Sequence, residues 1–198
     1  MVSKLRRFWK ILSHPRELRM ALSGLGVALS GDSAGGGLLE CETAALVSWV
    51  RDSGVKTFVE IGTLFGFTAR RVMRETGVRT VAVDDFSWNP FGLTSDRHEA
   101  FTRRILEGSE VEILRMRSED FLASFPGVDA ANALVFLDGS HAYEDVKKEI
   151  SLCVERGVSV IAGHDFGNPA FGVTRAVSEA FGAPDEVIGS CWLKRLRV

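Results

Sequence analysis

Between residues 57 and 163 short apolar runs recur, each followed by a stretch with helical spacing. Five of these runs read as strands: Thr57–Gly62 (TFVEIG), Thr80–Asp84 (TVAVD), Val111–Met116, Ala133–Asp138 (ALVFLD) and Ser159–Gly163. Their starts at 57, 80, 111, 133 and 159 lie 22 to 31 residues apart, the pitch of a βα unit. The intervening pattern predicts helices over Glu40–Asp52, Thr68–Glu75, Asp96–Leu106, a short one from about Glu119, Ala142–Val154 and Gly172–Phe181. Over Ala142–Val154 the spacing puts Tyr143, Val146, Ile150, Cys153 and Val154 on one face. Continuous apolar strands alternating with amphipathic helices predict a parallel sheet covered on both sides. Two last runs, Glu186–Ser190 and Trp192–Arg197, have no helix between them and predict an antiparallel hairpin at one edge.

The first 37 residues break this rhythm. Residues 1–20 hold six basic side chains against the single acid Glu17, and Leu5, Phe8, Trp9, Ile11 and Leu12 fall at helical spacing. Pro15 interrupts, a second helical stretch runs from Arg16 to Leu29, and the glycine-rich Ser30–Gly37 reads as a linker. The organisation expected is a helical arm with linker over 1–37 and one α/β domain over 38–198. The arm would pack on its own domain or on a second copy of the chain in a homo-oligomer. Alternatively it would lay its basic amphipathic face on an anionic membrane surface.

Composition narrows the class. The chain has 198 residues, 45% hydrophobic and 25% charged, which suits a soluble globular domain and excludes a disordered chain. A net charge of −2 lacks the basic excess of a nucleic-acid binder. The three cysteines are scattered and form no C-x-x-C pair, which argues against a zinc knuckle and for a reducing compartment. No apolar run approaches the ~18 residues of a membrane span, and the basic start lacks a signal-peptide pattern. The expected location is cytoplasmic.

In an open parallel sheet ligands bind at the carboxyl ends of the strands. Those ends read Glu60-Ile61-Gly62, Asp84-Asp85, Arg117-Ser118-Glu119, Asp138-Gly139-Ser140-His141 and His164-Asp165. Charged groups at the ends of buried strands cost desolvation, so a ligand-facing edge explains them better than chance. After the first strand, Gly62 and Gly66 permit a sharp turn, and Thr68 is placed to cap the next helix. The spacing E-x-G-x-x-x-G differs from the dinucleotide G-x-G-x-x-G; Glu60 would repel a diphosphate and attract a cationic amino group. Asp84 suits ribose hydroxyls or a strand-end cap, and Ser118-Glu119 suits an adenine edge or an ordinary helix start. The loop Phe86–Gly92 carries three aromatics that would cover the adenine, wall an acceptor pocket, or pack on the arm or a partner.

Together, Glu60-x-Gly62-x-x-x-Gly66, Val83-Asp84, Ser118, the run Phe136-Leu137-Asp138-Gly139-Ser140-His141-Ala142-Tyr143-Glu144-Asp145-Val146 and Gly163-His164-Asp165 resemble class I S-adenosylmethionine-dependent methyltransferases. The resemblance spans about residues 40–198. It is strongest to the branch of small-molecule and sugar O-methyltransferases and the so-called cephalosporin hydroxylases. It implies a doubly wound, Rossmann-like seven-stranded sheet of order 3-2-1-4-5-7-6. By the same resemblance Gly62, Thr63, Phe65 and Gly66 hold the methionine part of S-adenosylmethionine, and Glu60 acts on its amino group or supports the loop. Asp84 and Asp85 serve the ribose, Ser118 and Glu119 sit by the adenine, and Asp138 lies beneath the sulfonium and the acceptor. Metal-dependent members bind a divalent ion through an acid matching Asp138 and an acidic pair on the next strand. Here that pair is His164-Asp165, which leaves Asp138 and Asp165 as the two candidate magnesium ligands.

The Asp/Asn-Pro-Pro-aromatic motif of nucleic-acid amino-methylating enzymes is absent after the fourth strand. The expected activity is therefore O-methylation of a small-molecule or sugar hydroxyl. His141 is the expected base, a histidine near neutral pKa at that strand edge. His164 is the substitute, and Asp138 and Asp165 would orient a histidine or hold a metal. A nicotinamide-dependent oxidoreductase is disfavoured by the glycine spacing and Glu60. A non-catalytic cofactor-binding protein is disfavoured by His141 and Asp138 at the same edge.

Overall fold

The structure is a computed structural model that describes residues 38–88 and 93–196. The expected arm and linker over 1–37, and residues 89–92 of the aromatic loop, lie outside the described residues.

The described elements run α1 (Glu40–Ser53), β1 (Thr57–Ile61), α2 (Phe67–Thr76), β2 (Arg79–Asp84), α3 (Ser95–Ile105), β3 (Val111–Arg115) and α4 (Ser118–Ser124). They continue with β4 (Ala133–Leu137), α5 (Tyr143–Glu155), β5 (Val160–Gly163), α6 (Val173–Phe181), β6 (Glu186–Ile188) and β7 (Cys191–Arg195). One seven-stranded sheet has the order β3-β2-β1-β4-β5-β7-β6, the order expected from the sequence. The first five strands are parallel, whereas β7 runs antiparallel to both β5 and β6. The chain therefore reverses its winding at the β1–β4 boundary, where a doubly wound sheet opens its binding crevice.

Burial follows the period of two along a strand. Val59 and Ile61 of β1 join Val135 and Leu137 of β4 in a core beneath α4, α5 and α6. Phe58, Leu134 and Phe136 point the other way, into a second core with Leu46, Trp49 and Val50 of α1 and Val72 of α2. Both faces are covered, so β1 and β4 are buried along their whole length. A charge such as Glu60 on β1 therefore has no bulk water to turn to.

Two local expectations are corrected. Thr68 does not cap α2: the helix starts at Phe67, Gly66 occupies the cap position in a left-handed conformation, and no side chain caps it. On α5 Val154 is 47% exposed, while Glu149 shares the buried face with Val146, Ile150 and Cys153. At 3.6 residues per turn Val154 has rotated about 80° from Val146, outside the stripe that Glu149 enters from the other side.

Candidate functional site

The crevice is built first from the β1–α2 turn. Glu60 is 2% exposed, and the Thr63 hydroxyl donates to its Oε2 at 2.5 Å. Burial, with the nearby carboxylates of Asp138 and Asp84, pushes Glu60 up to about 8, so it keeps its proton at neutral pH. Gly62 has φ 84, and its N–H donates to Val83 O at 2.9 Å. A Cβ at Gly62 would stand 2.4 Å from Asp138 O and 2.6 Å from Gly139 Cα. This glycine is required by the close passage of the turn against the end of β4. Phe65 is buried against Phe67, His98 and Phe101.

Asp84 ends β2 and ties two turns together. Its Oδ2 accepts from Thr63 N and Leu64 N, both at 3.0 Å, and its Oδ1 accepts from Phe86 N at 2.7 Å. Three acceptor positions thus serve the main chain. Burial raises the Asp84 pKa, and the Phe86 and Leu64 N–H groups oppose that rise. The neighbouring Asp85 accepts from Ser87 N, through Oδ1 at 2.8 Å. At the next strand end, Glu119 pairs with Lys148 at 2.6 Å. Burial raises the nearby Glu149 to about 7 against the influence of Ser118, and among the described residues its Oε2 has no hydrogen-bond partner.

The ends of β4 and β5 bring two histidines and two carboxylates together. His141 Nε2 lies 2.8 Å from Asp165 Oδ2 and 3.8 Å from Asp138 Oδ1. Its ring stacks on Phe171 at 4.5 Å with the planes 28° apart. His141 does not cap α5; Ala142 holds that position without a side-chain bond. Asp165 has φ 59, an unusual left-handed conformation for a residue other than glycine and a mark of stored strain at a site. The side chain of His141 is 34% exposed. The carboxylates of Asp138 and Asp165 raise its pKa, against burial and the charge of His164.

His164 lies deeper. Its Nδ1 faces Asp138 Oδ1 at 3.4 Å and Asp165 Oδ2 at 3.5 Å. Its Nε2 meets Glu42 Oε2 at 3.3 Å and Ser190 Oγ at 2.8 Å. Burial lowers its pKa, but Asp138, Asp165 and Glu42 outweigh that and bring it to about 9. At that value the protonated ring of His164 is favoured near neutral pH. Glu42, buried on α1, also accepts from Leu39 N at 2.7 Å, Ser190 N at 2.8 Å and Ser190 Oγ at 2.9 Å.

Glu60, Gly62, Asp84, Asp138, His141, His164 and Asp165 lie together at the carboxyl ends of β1, β2, β4 and β5. Sequence reasoning missed Glu42, Glu149, His98 and Thr102. Each sits on a helix where a polar residue ordinarily faces solvent, and no local motif announces it.

Asp138, His164 and Asp165 place three donor atoms within 4.8 Å of one another. That mixed nitrogen and oxygen set is unlike the oxygen octahedron magnesium takes. The donors do not fit magnesium, and no step below is routed through an ion.

Comparison with known proteins bears on this crevice. The sequence profile of a family described as a methyltransferase domain matches residues 59–166, from β1 to just past β5. An O-methyltransferase from Bacillus cereus, solved with SAH, shares the fold at TM-score 0.58 and 14% identity, over 90% of this chain and 88% of its own. Cofactor-bound Rv0187 from MTB aligns at TM-score 0.57 and 19% identity, over 89% of this chain and 87% of its own. TomG from Streptomyces achromogenes, an O-methyltransferase of tomaymycin synthesis solved with SAM, aligns at 0.56 and 17%, over 78% and 79%. At these identities the likenesses establish the fold. No curated protein sequence gives a significant match.

Proposed function

Because the chain belongs to the methyltransferase domain family, we propose that it transfers a methyl group from S-adenosylmethionine to a hydroxyl of a small molecule or sugar, with His141 as the base. The observation that carries this reading is the His141–Asp165 pair, 2.8 Å apart beside Asp138 and opposite the Gly62 turn. When bound, the cofactor supplies an electrophilic methyl on a sulfonium, and the residues of the chain do the rest.

The Gly62–Gly66 turn receives the methionine part. Glu60, which burial keeps protonated, would face the cofactor's ammonium if the methionine part lies in this turn, and a positive charge there would favour its carboxylate with release of the proton to water. Asp84 holds the turn through Thr63 and Leu64, which leaves Asp85 the freer carboxylate for the ribose. Ser118 and Glu119 lie at the adjacent strand end, toward the adenine. Neutral His141, with Nε2 2.8 Å from Asp165 Oδ2, takes the proton of the acceptor hydroxyl. Asp165 and Phe171 hold the ring in plane, and Asp138 stabilises the imidazolium that forms.

The arm over 1–37 is a separate segment in this reading, not needed for cofactor binding, and the acceptor is a small molecule. Among the described residues no helix is long and apolar enough to cross a membrane.

The test is transfer of a labelled methyl group from S-adenosylmethionine to a panel of phenolic, alcohol and sugar acceptors. On any acceptor that turns over, His141→Ala is expected to keep S-adenosylhomocysteine affinity and lose about 10²–10⁴ in kcat. A variant within a few-fold of wild type removes His141 from the base role.

A further inference from the structure

We propose that His98 and Thr102 of α3 are positioning residues that lock the Gly62–Gly66 turn in its cofactor-receiving shape by holding the carbonyl of Leu64. The inference rests on the cofactor reading above and adds two residues that no motif marks.

Leu64 has φ 48 and Phe86 has φ 57, so two adjacent β–α turns each carry a left-handed residue that is not glycine. An L-residue keeps that conformation only where its surroundings over-determine it. From one side Asp84 fixes both residues, accepting from Leu64 N at 3.0 Å and Phe86 N at 2.7 Å. From the other side α3 fixes the Leu64 carbonyl. His98 Nε2 stands 3.0 Å from Leu64 O, and the Thr102 hydroxyl donates to the same oxygen at 2.6 Å.

His98 and Thr102 are one helical turn apart, so one face of α3 presents both donors to one acceptor. A carbonyl oxygen has two lone pairs, and both are occupied here. His98 is 1% exposed. Its ring meets Phe65 edge-on at 5.3 Å and Phe86 at 5.2 Å, so it also wedges between the two strained turns. With Nε2 donating, the neutral ring leaves Nδ1 as an acceptor, and among the described residues that buried atom has no partner. Burial lowers the pKa of His98, in accord with a ring that works uncharged.

The shape matters because the Thr63 and Leu64 amides are turned inward to Asp84. The peptide planes that remain to face a ligand are set by this clamp. If the Leu64 carbonyl is released, the turn can relax to a right-handed conformation and swing those planes away.

Two acceptor bonds on one carbonyl predict redundancy. His98→Phe keeps a ring between Phe65 and Phe86 without the donor, and Thr102→Val keeps the shape of threonine without the hydroxyl. Each alone should weaken S-adenosylhomocysteine binding about two- to tenfold, the scale of one neutral hydrogen bond. The double variant should lose about a hundredfold or more, beyond the product of the singles, because a buried carbonyl is then left unpaired. Thr102→Ser, which restores a hydroxyl, should bind within about twofold of wild type, a rescue that a packing role for Thr102 does not predict. Hydrogen exchange on the ligand-free protein should quicken across residues 62–66 in the double variant and stay unchanged in β4 and β5.

A folded double variant that binds like wild type overturns the proposal, as does faster exchange spread evenly over the sheet. If the double variant does not fold, the comparison of Thr102→Val with Thr102→Ser decides, and equal affinity overturns it. If wild type itself does not bind S-adenosylhomocysteine, the cofactor reading falls. The ligand-free exchange data still report whether the two side chains hold the turn.

Discussion

Gly62→Ala tests why a glycine stands at the head of the β1–α2 turn. Gly62 has φ 84, and an added Cβ would meet Asp138 O at 2.4 Å and Gly139 Cα at 2.6 Å. The obstructing atoms are main chain, and the end of β4 is pinned there by Asp138 N donating to Ile61 O at 2.9 Å. A left-handed alanine costs about 1–2 kcal/mol, and forcing a methyl into a filled space costs about 1–3 kcal/mol more. The expected loss is therefore roughly 2–5 kcal/mol, a large part of the 5–15 kcal/mol that holds an ordinary domain together. Gly54 supplies the control. It is left-handed at φ 67 with nothing within 4 Å of a Cβ, so Gly54→Ala should lose only the conformational ~1–2 kcal/mol. Urea denaturation of both variants against wild type, at constant m, should show Gly62→Ala less stable than Gly54→Ala by about 1–3 kcal/mol. Equal losses would refute the clash with β4. Intact stability with lost S-adenosylhomocysteine affinity would show instead that the methyl intrudes only on cofactor space.

Three further outcomes follow from the same geometry. The pH profile of kcat/KM should rise with an apparent pKa above 6.5, because the carboxylates of Asp138 and Asp165 raise His141; a midpoint at or below 6.5 contradicts their charge acting on the base. Glu60 titrates near 8 in the fold against 4.5 for a free glutamate, so its contribution is full below 4.5 and is lost as pH rises through 8. At about 1.36 kcal/mol per pH unit that window is worth at most about 5 kcal/mol. Glu60→Gln should accordingly lose less stability than wild type between pH 5 and 8, and parallel curves would exclude a buried, protonated Glu60. Exhaustive chelation should leave turnover unchanged, because the Asp138, His164 and Asp165 donors are mutually engaged; activity lost to chelator and restored by magnesium would overturn that fit.

Much of the architecture was legible because it is written locally. Runs such as TFVEIG and ALVFLD are buried on both sides, so apolar continuity marked them as interior parallel strands. The missing helix between the last two strands marked the antiparallel edge. The closeness of Asp138, His141, His164 and Asp165 was legible because adjacent parallel strands bring their carboxyl ends together. What escaped was burial decided by distant chain. Glu42 looks like an ordinary first-turn acid of α1, yet the β6–β7 turn closes over it and Ser190 donates to it twice. His98 and Thr102 look like polar positions of a surface helix until α3 packs them on Leu64. At Gly62 the local pattern pointed to ligand approach, whereas the closest atoms are main-chain atoms of Asp138 and Gly139, just past β4.

The central claim is that this crevice receives S-adenosylmethionine. Isothermal titration of the wild-type chain with S-adenosylhomocysteine, run beside the same titration with NAD, tests it most directly. The account predicts saturable one-to-one binding of S-adenosylhomocysteine, roughly in the micromolar range ordinary for enzyme ligands, and no saturable heat from NAD. Saturable binding of NAD with none of S-adenosylhomocysteine would contradict it.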